Sequence, residues 1–248
     1  MKNKMKEALK SGKYLLGGFL SIGHPAITEA VALAGLDFVI IDTEHGDPNF
    51  ESVINMIRAS EARGITAVVR QTSLDPKMIG RYLDNGAYGI QVPMIETAEE
   101  AKIAVEACKY APMGTRGASG GRGAWWGAMP TPQALANQET LTVCMCETDL
   151  GVKNIDAIAK TPNLDVIFVG TGDLAQSMNA KPGSPELEAA VATALKACKD
   201  NGVIPGIVTA SVAEAKKRIE QGFTYVTCLN DMRLMYSTVK ELTTNIRA

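Results

Sequence analysis

Six short segments of this 248-residue sequence carry residue types that do chemistry, and each stands at the end of a short apolar run. They are Asp42-Thr-Glu-His45-Gly, Arg70-Gln-Thr, Glu147-Thr, Gly170-Thr-Gly-Asp173, Thr209 and Asn230-Asp231. Acids, a base and a guanidinium therefore recur where apolar runs stop. A charge closing such a run has buried neighbours, so it is not easily read as a solvated loop residue; Arg70 and Glu147 are of this kind. Histidine changes charge near neutrality, so His45 suits proton transfer. His24 and His45 are the only two His, which excludes a His-rich metal site. Any metal would be held by carboxylates, and that points to a hard cation such as Mg²⁺ or Mn²⁺. The two glycines of Gly170-Thr-Gly-Asp173 allow close backbone approach and leave N–H groups free to cradle an anion such as a carboxylate. His24, in Ser21-Ile-Gly-His24-Pro, lies where it could line the same mouth, although an ordinary loop His fits equally well. No Lys closes any of these runs, which disfavours Schiff-base chemistry.

The elements that must position these groups are legible in the apolar pattern. Eight candidate strands appear: Leu15–Leu20, Phe38–Asp42, Thr66–Arg70, Tyr88–Val92, Leu141–Glu147, Val166–Val169, Val203–Val208 and Tyr225–Leu229. They are continuous rather than alternating, as expected of parallel strands covered on both faces. Between them run amphipathic segments at Ala26–Ala34, Phe50–Arg63, Pro76–Asn85, Thr97–Cys108, Asn154–Lys160, Pro185–Asn201 and Ser211–Gln221. Several end at a Gly, which takes the left-handed position after a helix at little cost. Thr97 with Glu100 forms a capping-box pattern, and Asp75-Pro76 and Ser184-Pro185 place Pro at a first helical position.

Eight strand–helix units in this length predict an α/β fold, a (β/α)₈ barrel, as one domain over 1–248. An open doubly wound sheet is the alternative. It is weakened because no G-x-G-x-x-G follows the first strand. In a barrel the active site lies at the C-terminal ends of the strands, where the six chemical segments stand. The Gly- and Pro-rich stretch Ala111–Gln138, which holds both Trp, is too long for an ordinary connection and is expected to be a functional loop at the barrel mouth.

Composition removes other classes. Lys and Arg number 25 against 27 Asp and Glu, a net charge of −2, so no basic excess exists to grip a nucleic acid. No apolar run approaches the ~18 residues that would span a membrane. The N-terminal stretch lacks the apolar core of a secretory signal. The five Cys are odd in number, and Cys144-x-Cys146 is too close for a C-x-x-C site. All five are read as reduced core residues of a cytoplasmic protein.

Taken together, the residues resemble the HpcH/HpaI family of metal-dependent, class II 2-oxo acid (pyruvate) aldolases. The matching segments are Ala34-Gly-Leu-Asp-Phe-Val-Ile-Ile-Asp-Thr-Glu-His-Gly46, Val68-Val-Arg70, Gln91-Val-Pro-Met94, Gly114-Thr-Arg-Gly117, Glu147-Thr and Phe168-Val-Gly-Thr-Gly-Asp-Leu174, in family order over nearly the whole chain. The resemblance implies a (β/α)₈ barrel that assembles as a homo-oligomer, often a hexamer. It implies reversible cleavage of a 4-hydroxy-2-oxo acid to pyruvate, or a related 2-oxo acid, and an aldehyde. By the same resemblance Glu147 and Asp173 hold a divalent cation, Mg²⁺, Mn²⁺ or Co²⁺. His45 is the acid/base residue, Asp84 raises its basicity, and Arg70 stabilises developing negative charge. The backbone around Gly172 and Asp173 holds the carboxylate of the oxo acid. From the residues alone, Asp84 reads as a helix-end residue.

Two departures bear on the donor and the acceptor. Met145 stands where the family commonly has Gln, and the segment Ala118–Trp126 is unusual. Two other readings compete. A CoA-ester lyase of the citrate lyase β-subunit type should need a basic groove for the CoA phosphates, and no clear cluster provides one. A non-catalytic small-molecule-binding barrel would have no use for His45, Arg70, Glu147 and Asp173 together.

Overall fold

Eight parallel strands pair in chain order and close on themselves, β8 against β1. They are β1 (Leu15–Leu20), β2 (Phe38–Asp42), β3 (Thr66–Arg70), β4 (Gly89–Val92), β5 (Leu141–Cys146), β6 (Val166–Val169), β7 (Ile204–Val208) and β8 (Tyr225–Asn230). The helices are α1 (Lys4–Lys10), α2 (Pro25–Leu33), α3 (Phe50–Arg63), α4 (Pro76–Asp84), α5 (Ala98–Cys108), α6 (Pro132–Glu139), α7 (Asp149–Lys153), α8 (Ile155–Ala159), α9 (Thr171–Ser177), α10 (Pro185–Asn201), α11 (Val212–Gln221) and α12 (Asp231–Arg247). This computed structural model describes residues 2–128 and 132–248; residues 129–131, part of the stretch expected to be a loop, lie outside the described residues. The architecture is the (β/α)₈ barrel, and the open sheet is excluded by the β1–β8 pairing.

Strand pleating sorts the core into two shells. One set of alternate residues, including Phe38, Ile40, Val68, Val143, Met145, Phe168 and Tyr225, fills the barrel. The other, including Val39, Ile41, Val69, Ile90 and Ile167, packs against the helices. Both faces of the strands are buried, apart from the exposed end of β8 at Cys228, which is why the runs read as continuous. Helix starts follow the expected chemistry. Thr97 and Glu100 form the reciprocal capping box of α5, and Asp75 accepts from Lys77 N at 2.8 Å to open α4.

The sequence reading overlooked α1, α12 and three short helices, α6, α7 and α9. α1 plugs the N-terminal end of the barrel: Met5 and Leu9 join the interior core, and Lys6 pairs with buried Asp165 at 2.8 Å. The segment after α5 also lies at this end. Arg122 there bonds Glu61 and the Asn85 carbonyl. A helix-to-strand connection returns to the strand N-termini, so the stretch within 111–138 sits opposite the mouth expected for it. It contains a 3₁₀ turn at Arg122–Gly127 and α6. Four of the five Cys are buried as free thiols; Cys228 is exposed, which corrects the expectation that all five belong to the core. No helix of the described residues is long and apolar enough to cross a membrane.

Candidate active site

The register of β2 on β3 sets Asp42 directly beside Arg70. Two residues on from Ile40 and from Val68, both side chains face the barrel axis. They form a forked ion pair, Arg70 Nε to Asp42 Oδ1 at 2.9 Å and Nη2 to Oδ2 at 2.6 Å, and both are buried. Glu44 Oε2 lies 3.0 Å from Nη1, and the guanidinium stacks 4.7 Å from the Phe19 ring centre. Burial, the largest single influence, would push the Asp42 carboxyl up; the Arg70 hydrogen bonds and charge, together with the backbone N–H groups of His45 and Glu44, jointly outweigh it and hold the group below the usual carboxylate range. The backbone N–H groups of Glu44 and His45 donate to Asp42 Oδ1 at 3.1 and 3.2 Å. The turn after β2 is thus folded onto Asp42, and it carries His45 outward with its side chain 63% exposed.

Glu147 follows β5 at the same rim and is 3% exposed. Its Oε1 accepts from the Met94 N–H at 2.7 Å. Met94 holds φ at 54°, a left-handed backbone that costs a residue with a side chain about 1–2 kcal/mol and here turns its N–H onto the carboxylate. Glu147 Oε2 is buried with no partner among the described residues. Room for it exists because residue 170 is Gly: a Cβ there would lie 2.6 Å from Oε2 and 3.0 Å from Glu147 Cβ. Asp173 sits in the first turn of α9, which starts straight after Gly170. Burial, with the charges of Glu44 and Asp173 adding to it, pushes the Glu147 carboxyl up to about 7. Glu44 is also raised, by burial first, against the opposing pull of Arg70.

An orphaned buried carboxylate oxygen on a group raised by burial and by the charges of two further carboxylates fits a divalent cation, with hard oxygen donors. Among the described residues no cluster of three or more metal-ligating side chains stands ready. Two protein carboxylates would therefore leave positions for substrate and water. Beside them opens a cleft of about 960 Å³ lined by Arg70, Met145, Gly170, Gly172 and Asp173. Met145 is buried on its floor and brings a thioether where an amide would bring a donor.

The remaining expected residues divide. His24 caps α2, its Nδ1 accepting from Ala26 N at 3.2 Å, an ordinary helix start. Asp231 is buried and accepts from Ser21 N and Ile22 N at 2.9 and 3.0 Å, so it fastens the β8 end to the loop after β1. Thr209 donates to the Thr227 carbonyl at 2.9 Å. Asp84 is the last residue of α4 and accepts from Arg116 Nη2 at 2.7 Å. A helix ends where the next strand begins, so within one chain Asp84 lies at the N-terminal end of the barrel, away from His45. Three contributors went unassigned in the sequence reading: Asp42, Glu44 and the Met94 N–H. Asp42 closes an apolar run just as Arg70 does, which was signal enough to find it.

This geometry has relatives. The HpcH/HpaI aldolase/citrate lyase family model matches residues 15–237. A 4-hydroxy-2-oxovalerate aldolase of Rhodococcus jostii is 36% identical over 236 residues, covering 94% of this chain and 92% of that relative. A 5-keto-4-deoxy-D-glucarate aldolase of Klebsiella pneumoniae is 33% identical, covering 97% and 95%. The crystal structure of an HpcH/HpaI aldolase/citrate lyase family protein from Burkholderia cenocepacia superposes with a TM-score of 0.94 at 32% identity, over 100% of both chains. Barrel and rim together define an enzyme of the aldehyde-lyase class. The chain belongs to the HpcH/HpaI aldolase/citrate lyase family.

Proposed function

We propose that the protein reversibly cleaves a 4-hydroxy-2-oxo acid into pyruvate, or a related 2-oxo acid, and an aldehyde, in a divalent-metal-dependent reaction. The carrying observation is the buried, partnerless Oε2 of Glu147, a carboxyl on which the charges of Asp173 and Arg70 act, with the Arg70 guanidinium already fixed by Asp42. Glu147 and Asp173 would hold Mg²⁺, Mn²⁺ or Co²⁺, and the cation would supply Lewis-acid polarisation of the 2-oxo group. Arg70 is oriented before substrate arrives, because Asp42 engages its Nε and one Nη2 hydrogen. Donors on Nη1 and Nη2 remain for the oxo acid and for the enolate charge that develops on cleavage. Gly172 meets nothing within 4 Å of where a Cβ would stand, so its backbone is open to the carboxylate of the substrate. His45 takes the 4-hydroxyl proton, directly or through water, as the C3–C4 bond breaks.

The small-molecule partners follow from this chemistry. The protein is also read as a homo-oligomer. In α12 only Asp231 is buried, while Leu234, Met235, Val239, Leu242 and Ile246 are exposed, a surface suited to a second copy. Asp84 can raise the basicity of His45 only across such a contact, since one chain separates them. A hexamer is the form that the family resemblance favours. The free thiols suit a reducing cytoplasm.

Pyruvate release from a 4-hydroxy-2-oxo acid, measured with and without chelator, tests the reading. Activity that survives full chelation removes the metal. Glu147→Ala and Asp173→Ala should each lose Mn²⁺ binding by calorimetry and activity together; parent-like binding in either variant overturns the ligand assignment.

A further inference from the structure

The end of the barrel opposite the candidate active site holds a second cavity, of about 590 Å³, between α1, α6, the loop before β6 and the end of α10. That volume is within the range of small-molecule sites. The proposed reaction makes no use of it. Four lysines line it, Lys6, Lys10, Lys109 and Lys199, against one acid, Asp165.

The charges on its buried side do not balance. Lys109 is 1% exposed and Lys6 6%. Lys6 Nζ lies 2.8 Å from Asp165 Oδ1 and donates to the Thr140 carbonyl at 2.8 Å. Lys109 Nζ donates to the same carbonyl at 2.7 Å and to the Asn137 carbonyl at 3.0 Å, but stands 3.9 Å from Asp165 Oδ2. That oxygen already accepts from Thr142 N at 3.0 Å. One carboxylate therefore serves two buried ammonium groups that share a carbonyl. Burial pushes the Lys109 ammonium down to about 8, and the Lys6 charge works in the same direction against the pull of Asp165. Each ammonium carries three donors, and the described residues supply acceptors for two of them.

The surplus continues toward solvent. Lys10 is exposed and has no acidic partner among the described residues, and Lys199 bonds only the Gln221 carbonyl, at 2.9 Å. Surplus buried charge is costly until it is paired, and an oxyanion carrying more than one negative charge would pair it.

We propose that this cavity binds a small molecule bearing a multiply charged oxyanion, a phosphate ester or a polycarboxylate, and that the ligand clamps α1 onto the barrel. The four lysines come from three separate parts of the chain. Lys6 and Lys10 belong to α1, Lys109 follows α5, and Lys199 lies in α10. An anion held among them ties the N-terminal helix to two elements of the barrel's outer layer. The site is independent of the aldolase reading, because it shares no residue with the carboxylate rim.

Calorimetric titration of the metal-free protein with inorganic phosphate and with tricarballylate, at matched ionic strength, tests the site. At least one should bind saturably, and the tighter of the two names the oxyanion class. A Lys10→Gln, Lys199→Gln double variant changes only exposed side chains and should weaken binding about threefold to thirtyfold. Lys109→Met removes a buried charge and should weaken it by at least about thirtyfold. If that variant does not fold, the double variant still decides. Hydrogen exchange locates the anion: the bound probe should slow exchange of the α1 amides in the parent and do so much less in the double variant. Failure of both probes to bind, equal affinity in parent and double variant, or protection of the turn after β2 in place of α1 would each overturn the proposal.

Discussion

Gly170→Ala is the smallest change that should disable the carboxylate pair. The backbone there, φ −87° and ψ 86°, is open to any L residue, so the barrier is contact and not conformation. A methyl group would stand 2.6 Å from Glu147 Oε2 and 3.0 Å from Glu147 Cβ. The Cβ of a residue just past β5 cannot retreat, so the carboxylate must swing away and lose the Met94 N–H. Overpacking of this kind costs about 1–3 kcal/mol. Replacing Gly returns about 0.4–1 kcal/mol by restricting the unfolded chain. The net destabilisation should be about 0–2.5 kcal/mol, or a Tm drop of up to roughly 10 °C at about 2–4 °C per kcal/mol for this chain length. Metal affinity should fall much further than stability. A double-mutant cycle isolates the cause: in a Glu147→Ala background the clash partner is gone, so Gly170→Ala should become neutral or slightly stabilising. Chemical denaturation of the four proteins, with Mn²⁺ titrations of the two that retain Glu147, gives every term. Additive effects, with a coupling below ~0.5 kcal/mol, would refute the claim that Gly170 is there to make room for Glu147.

Three further outcomes are expected. Arg70→Lys leaves a charge but breaks the fork on Asp42, so it should slow proton exchange at pyruvate C3, followed by NMR in D₂O with saturating metal; parent-like exchange with impaired aldol addition would move Arg70 to the aldehyde side. His45→Ala should reduce cleavage by about 10²–10⁴-fold while oxo-acid binding by calorimetry changes little, and unchanged kinetics would remove His45 from the reaction. Glu147→Gln should stabilise the chelated protein against urea at high pH. A folded carboxyl raised from 4.5 to about 7 contributes stability below pH 4.5 that is lost as pH rises through 7, so the Gln variant's advantage should grow across that window and then level off at no more than about 3 kcal/mol. A pH-independent difference would contradict the burial argument.

The barrel was legible because each strand is covered on both faces and most helices carry their own start and stop signals. Thr97 with Glu100 and Asp75-Pro76 formed the expected caps. The rim was legible for a related reason: Arg70 and Glu147 close apolar runs, and pleating turns them toward the axis. What pairs with what was not legible. The Asp42–Arg70 bond depends on the register between two strands 28 residues apart, which no local pattern encodes. The Met94 N–H is a backbone group and leaves no side-chain signature. Both end helices escaped notice for different reasons. α1 is mostly polar and gains its stability from the barrel it plugs. α12 follows a strand without a Pro or Gly to mark its start. The long segment was placed at the wrong end of the barrel because its length was weighed and its position after a helix was not.

α1 also has a consequence for how the chain reaches this fold. Its anchors are far downstream. Asn3 N donates to Glu139 Oε2 and its side chain to the Glu139 carbonyl, Lys6 bonds the Thr140 carbonyl at 2.8 Å, and Lys6 pairs with Asp165 at 2.8 Å. During synthesis α1 therefore has nothing to dock on until more than a hundred further residues have followed it. The β1–β8 pairing that closes the barrel waits longer still. Contacts of such separation are slow to form, and until then Met5, Leu9 and the β1 edge face water. During synthesis, α1 and β1 thus lack their full set of partners until β8 arrives.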